Sequence, residues 1–222
     1  FDLKGILRYN CRMKKGDASM NDMEEIMEKY HYGKQMLETE IDILIKEFSF
    51  NHGYNPVEHI KSRIKSKKSI IEKMTRKNLE INTTNMVNHL DDIIGLRIVC
   101  SFIPDVYDIV STITQSRNII IKERKDYITN PKSSGYSSYH LIVFVPIYLK
   151  GKIEYVPAEI QIRTVAMDFW ASLDHKIQYK FDGDNIPAEV EEELYRYSRA
   201  INELDTRMMN LNELMKKYKK EF

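Results

Sequence analysis

Glycine and proline are scarce, 8 and 6 residues in 222, and no tract is of low complexity, which excludes collagen-like, mucin-like and wholly disordered chains. Cysteine is scarcer still. Cys11 and Cys100 lie far apart, one of them in an apolar stretch, so no secreted disulfide framework is expected and a reducing cytoplasm is the expected setting. Long hydrophobic runs are also missing: the longest nearly uncharged segment, 136–149, falls short of the roughly 20 residues of a membrane-spanning helix and is interrupted by Pro146. No signal segment is read in the opening residues, and no membrane partner is expected. Excess charge of one sign is absent as well. With 34 basic against 33 acidic side chains the net charge is +1, so no global field draws the protein to nucleic acid or lipid, and affinity for phosphate must be local. What is present, 42% hydrophobic and 30% charged residues, suffices for a globular core.

Apolar residues at Met23, Met27, Tyr30, Leu37, Ile41, Leu44 and Phe48 step by three and four, which predicts a helix over 20–48 broken once at Lys34. A second stripe follows Pro187 and runs from Val190 through Leu194, Tyr197, Ile201, Leu204, Met208, Leu211 and Met215 to Tyr218, a sustained heptad pattern. These helices either cover the domain or pack with each other or with another subunit. Between them, Val57, Ile60, Ile64, Ile70, Ile71 and Met74 predict a basic helix or helix pair over 55–79. Strands are expected at 93–102, from 119 onward, at 140–149 and at 152–162, the last two forming a hairpin that turns at Lys150-Gly151. A helix over 104–115 turns Val106, Ile109, Val110 and Ile113 inward, and another begins at Thr164. With no Gly/Ser-rich linker this reads as an α/β domain with helical flanks: an N-terminal helical extension over 1–54, the central domain over 55–181, and a C-terminal helix over 182–222 for an oligomer contact.

Four segments carry chemistry. In the first, eight cations from Lys61 to Lys77 face three nearby anions, Glu58, Glu72 and Glu80, a density suited to a phosphate clamp, to a nucleic-acid stripe or to a solvated basic helix. Read as helical, it puts Lys61, Lys65 and Lys68 on one face and Arg63 on another. The second is Asp91-Asp92 at the mouth of a strand, with Arg97 beyond; a carboxylate there suits Mg²⁺, and Asp91 reads equally well as a turn or cap. The third is the polar loop from Lys122 to His140, with Lys125, Tyr127, Lys132, Gly135, Tyr136, Ser138 and Tyr139, where cations meet phosphates and an aromatic offers its face to a base. The fourth is Glu159-Ile-Gln161-Ile-Arg163, whose alternation sends three polar side chains to one face of a strand; such a face lines either solvent or an occupied cleft.

In this order, Arg63-x-Lys65-x-x-x-Ser69-Ile-x-x-Lys73, Asp92-Ile-Ile-Gly-Leu-Arg97-Ile, Lys125-Asp-Tyr-Ile-x-x-Pro-Lys132-x-Ser-Gly-Tyr136-x-Ser138-x-His140 and Glu159-Ile-Gln161-Ile-Arg163-Thr-x-Ala-Met-Asp-Phe-Trp-Ala-Ser-Leu-Asp174-His175 span about 55–181 and resemble the synthetase domain of the RelA/SpoT-type (p)ppGpp synthetases, most closely the single-domain small alarmone synthetases. The resemblance implies a nucleotidyltransferase-like mixed sheet of about five strands surrounded by helices. It implies a GTP pyrophosphokinase that moves the β,γ-pyrophosphoryl group of ATP to the ribose 3′-hydroxyl of GTP or GDP. It implies Arg63, Lys65 and Lys73 on the ATP phosphates with Ser69 and Arg97 in support, Mg²⁺ on Asp92 and Glu159, and Glu159 as the group that activates the hydroxyl. On the acceptor side it implies Tyr136 stacked on guanine and Gln161 at the ribose, with Lys125, Lys132, Ser138, His140 and Arg163 around the guanosine nucleotide. A homo-oligomer, with a homotetramer favoured, follows from the same likeness, and so does synthesis without a His-Asp hydrolase domain. Some members of the family answer to alarmone or RNA, but no residue here assigns such control. Ile94 in place of the common Ala and Asp174 in place of the more frequent Glu are departures. A nucleic-acid-binding module explains the cations but not Asp92 and Glu159, and another nucleotidyltransferase on the same fold would release pyrophosphate rather than AMP.

Overall fold

The computed structural model of the protein describes residues 20–180 and 186–220; Cys11 and the remainder of 1–19 lie outside the described residues. In chain order the elements are α1 (Met20–His52), β1 (Val57–Ile64), α2 (Lys67–Arg76), α3 (Thr83–His89), β2 (Ile94–Cys100), α4 (Ile103–Gln115), β3 (Ile120–Asp126), β4 (Tyr139–Leu149), β5 (Lys152–Thr164), α5 (Val165–Lys180) and α6 (Ala188–Lys220). The strands form one sheet in the order β1-β2-β5-β4-β3, with β2 and β5 parallel and the other neighbours antiparallel, the mixed five-stranded sheet that the family resemblance implied.

Alternation sorts the two faces of the sheet. Ile94, Leu96, Ile98 and Cys100 of β2, Ala158, Ile160 and Ile162 of β5, and Leu141, Val143 and Val145 of β4 are all buried in one core with Leu37 and Ile41 of α1 and Val106 and Ile109 of α4. Each fully buried Leu or Ile of this kind contributes about 1.5–3 kcal/mol. Helix α1 lies against the sheet at Gly33, where a Cβ would lie 3.1 Å from Ile94 Cδ1 and 3.2 Å from Val156 Cβ. The break in its apolar stripe is therefore a point of contact: the position against the sheet carries no side chain, and Lys34 turns aside to Glu38 at 2.8 Å. The hairpin turn falls at Lys150 and Gly151, with φ of 48° and 75°, the left-handed pair that a two-residue turn requires.

One feature differs from the sequence reading, and a second is left open by it. Residues 57–64 are strand, not helix. A register shift between Val57 and His59 inserts one residue into β1, which turns the even spacing of a strand into the three-residue step from Val57 to Ile60 that mimics a helical turn. Ile60 and Ile64 then pair with Ile98 and Ile94 on the core face, while Lys61 and Arg63 face the other way. The basic helix of this region is α2 alone, capped by the Ser66 hydroxyl, which accepts from the Ser69 N–H at 3.2 Å. The second feature is α6, which docks through polar residues. Ser198 and Asp205, one heptad apart, are buried, whereas Tyr197, Leu204, Met208, Leu211, Met215 and Tyr218 of the apolar stripe are about half exposed. Asp205 accepts from the Thr164 hydroxyl at 2.6 Å, and the Leu194 carbonyl accepts from the Trp170 indole at 3.2 Å. Among the described residues no helix is long and apolar enough to cross a membrane.

Candidate active site

Cross-strand partners share a face, so the register builds polar rungs on the side of the sheet away from α1. One rung crosses all five strands as Lys61, Arg97, Gln161, His140 and Lys125. The next carries Arg63, Gly95, Glu159 and Ile142. A cleft of about 300 Å³ opens on these rungs, lined by Lys61, Arg63, Asp92, Gly95, Arg97, Glu159 and Gln161 among others. Asp92, just ahead of β2, and Glu159 on β5 thus line one cavity. Gly95 keeps its floor low, with no side chain between Arg63 and Glu159.

At the β1 end the site is a set of ion pairs. Lys65 and Lys73 both reach Asp92 Oδ2, Lys73 at 2.6 Å. Burial opposes ionisation of Asp92, but the two ammonium groups outweigh it and hold the carboxyl below its ordinary range. Arg63 and Lys61 stay exposed at the cleft edge. Ser69 sits in the first turn of α2, its hydroxyl accepting from Ser66 at 3.0 Å, and does not line the cleft. Asp91 faces elsewhere and takes Lys122 on both oxygens at 2.6 and 2.8 Å.

At the other end the residues close a ring of hydrogen bonds. Arg163 Nη2 donates to the Tyr136 hydroxyl at 2.8 Å and to Gln161 Oε1 at 2.6 Å. Tyr136 Oη meets His140 Nε2 at 2.8 Å, His140 Nδ1 meets Glu159 Oε1 at 3.1 Å, and Gln161 Nε2 donates to Glu159 Oε2 at 2.8 Å. With the His140 proton on Nδ1, both arms donate in one sense, from the guanidinium to the carboxylate. Burial works against the Glu159 charge, yet His140 and Gln161 prevail and its carboxyl is held below the usual range, while Asp92 across the cleft pushes it back up.

Two residues expected at the acceptor are buried. Ser138 is fully buried and donates to the Ile162 carbonyl at 3.2 Å, and the Arg163 side chain is only 2% exposed. Ser138 thus ties the loop to β5, and Arg163 braces Tyr136 and Gln161. Tyr136 is half-buried in edge-to-face contact with His140 and Trp170, and the Lys132 ammonium lies 5.0 Å from its ring centre and 4.9 Å from that of Tyr127. Lys125 pairs with Glu123 at 3.0 Å, which raises its pKa. The loop is fixed from outside the sheet at Gly135 (φ 86°), where a Cβ would lie 2.0 Å from Ser198 Oγ. Asp174 lines a separate cleft with Ser133, Ser134 and Glu191.

A divalent cation fits the donor set. Among the described residues no three His, Cys, Asp or Glu groups cluster to hold a metal by themselves. Mg²⁺, however, usually binds through one or two carboxylates plus substrate phosphates. Asp92 Oδ1 is buried without a hydrogen-bond partner, and Glu159 lines the same cavity. Sequence reasoning left two residues unassigned. Lys61 reaches the cleft by strand parity, hidden by the helical reading of 55–79. Asp168, in the first turn of α5, pairs with Arg97 at 3.1 Å and Arg163 at 3.4 Å; it stood inside a quoted motif without a role.

Residues 62–184 match the model of the region found in RelA / SpoT proteins. The chain is 44% identical over 201 residues to GTP pyrophosphokinase YwaC of Bacillus subtilis, covering 87% of this chain and 95% of that protein. Its fold superposes on the small alarmone synthetase 2 of B. subtilis with a TM-score of 0.78 and 41% identity, over 86% of this chain and 98% of the other. The small alarmone synthetase 1 of the same organism, solved with its product pppGpp, gives a TM-score of 0.78 at 32% identity, over 86% and 96%.

Proposed function

The chain belongs to the RelA/SpoT family and matches small alarmone synthetases over most of its length, and from that premise we propose how its residues carry out the work of a GTP pyrophosphokinase. The reaction moves the β,γ-pyrophosphoryl group of ATP to the ribose 3′-hydroxyl of GTP or GDP, yielding (p)ppGpp and AMP. The observation that carries this reading is the single cleft lined at once by Asp92, Glu159, Arg63 and Arg97.

Transfer of this kind needs positioning and charge neutralisation more than covalent help. Arg63 and Arg97 take the ATP phosphates, and Lys65 and Lys73 exchange Asp92 for the same phosphates. Asp92, so released, and Glu159 would hold Mg²⁺. When bound, the ion supplies neutralisation of the phosphate oxygens. Glu159, kept ionised by His140 and Gln161, accepts the proton of the acceptor 3′-hydroxyl. Gln161 orients the ribose, and Tyr136 offers its ring to guanine as Lys132 leaves the ring for the acceptor phosphates, with Lys125 beside it. The exposed stripe of α6 is the seam for a homo-oligomer, a homotetramer first.

Incubation of the protein with Mg²⁺, γ-labelled ATP and GDP or GTP should put label on the guanosine product and release AMP. Release of pyrophosphate with label lost from the nucleotide, or no turnover at all, would refute the assignment.

A further inference from the structure

Asp168 touches both ends of the cleft machinery. Its Oδ1 lies 3.1 Å from Arg97 Nη1 and 3.4 Å from Arg163 Nη1, and its Oδ2 faces His59 Nε2 at 3.9 Å, too long for a hydrogen bond. Arg97 lines the cleft on the fully polar rung. Arg163, buried, holds Tyr136 and Gln161 through Nη2, and these two lead to Glu159. Like charges this close repel, and burial disfavours the Arg163 charge in any case. The Asp168 carboxylate between them works against both, as Tyr136 and Glu159 do for Arg163, although the net shift of Arg163 stays downward.

We propose that Asp168 is a positioning residue that ties the ATP side to the acceptor side, holding Arg97 toward the donor phosphates and Arg163 against the Tyr136–Gln161 support of the acceptor. The proposal rests on the reaction assigned above and adds a residue to it. Asp168 acts through two arginines, Arg97 in the cleft itself and Arg163 behind Tyr136 and Gln161. Its loss therefore loosens both sites together, which separates it from a residue of either site alone.

The test is steady-state kinetics of the full chain with ATP and GDP varied separately, on Asp168→Asn and Asp168→Glu. Asn keeps the shape and an acceptor oxygen but drops the charge. It should raise the GDP KM by about ten-fold or more and the ATP KM several-fold, with kcat falling less, since hydrogen bonds to charged groups are the strong ones. Asp168→Glu should bring both constants back toward the wild-type values. A purely structural role would lower the melting temperature and the active fraction with both KM values unchanged; that result, or a Glu variant no better than Asn, overturns the proposal. Should Asp168→Asn fail to fold, combining it with Arg97→Gln removes one of the two uncompensated cations and should restore folding; failure to do so also overturns it. Calorimetric titration of the same variants with GDP alone reads Kd without turnover. A wild-type protein that binds GDP but forms no product would sink the assigned reaction and leave the test of Asp168 standing.

Discussion

The two ends of the cleft are built on opposite principles. Toward β1, cations on flexible stems sit at the edge of solvent or rest on Asp92, a grip of point charges that can change partners. Toward β4, neutral and charged groups are locked into a closed ring from Arg163 to Glu159, largely out of water. The first end suits a ligand that is mostly phosphate, whose charge attracts from a distance. The second suits the atom where bonds change, where orientation must be settled before the ligand arrives.

The sharpest way to break this contrast is Glu159→Gln, which keeps the shape at the foot of the ring and removes its proton acceptor. Labelled transfer should fall by about 10²–10⁴-fold in kcat with the fold intact by circular dichroism. Next comes Lys73→Ala at the ion-pair end, expected to raise the ATP KM by roughly 10–100-fold and to flatten its dependence on salt, with GDP affinity spared. Tyr136→Phe deletes one hydroxyl and with it two links of the ring while leaving the aromatic face. A fall of about ten-fold in turnover with the GDP Kd little changed would show that the ring orients rather than binds. The smallest effect concerns pH. Asp92 and Glu159 have folded-state pKa values held below their unfolded ones, so the stability they contribute is complete above roughly pH 5 and is lost as pH falls through the folded values. Melting temperature against pH should therefore decline on the acid side, and Glu159→Gln should make that limb shallower.

How much of this was legible in the sequence follows from what each pattern measures. The polar alternation of Glu159, Gln161 and Arg163 gave the cleft face of β5 directly, because parity in a strand is local. Whether a side chain on that face meets solvent is not local: Arg163 is covered by α5, and its burial depends on a helix folding back over it. The long helices make the same point. Both α1 and α6 show apolar residues at helical spacing, and both are helices of 33 residues. One buries its stripe in the core, while the other turns Ser198 and Asp205 inward and leaves its stripe outside. Periodicity reports that a face exists, not what it faces. The misread strand β1 shows the limit of the pattern itself, since one inserted residue at a sheet edge shifts a period of two into a step of three. Asp168 was hidden for another reason: its partners come from β2 and β5, and only the parallel pairing of those strands brings Arg97 and Arg163 to one oxygen.

Gly135 and Ser198 stand in contact across sixty-three positions of chain, with no space for even a methyl group between them. In a lineage of such proteins the loop position should stay glycine, because its positive φ and the hydroxyl of the last helix each exclude a side chain. Anyone transplanting this loop into another scaffold would have to carry a turn of that helix along with it.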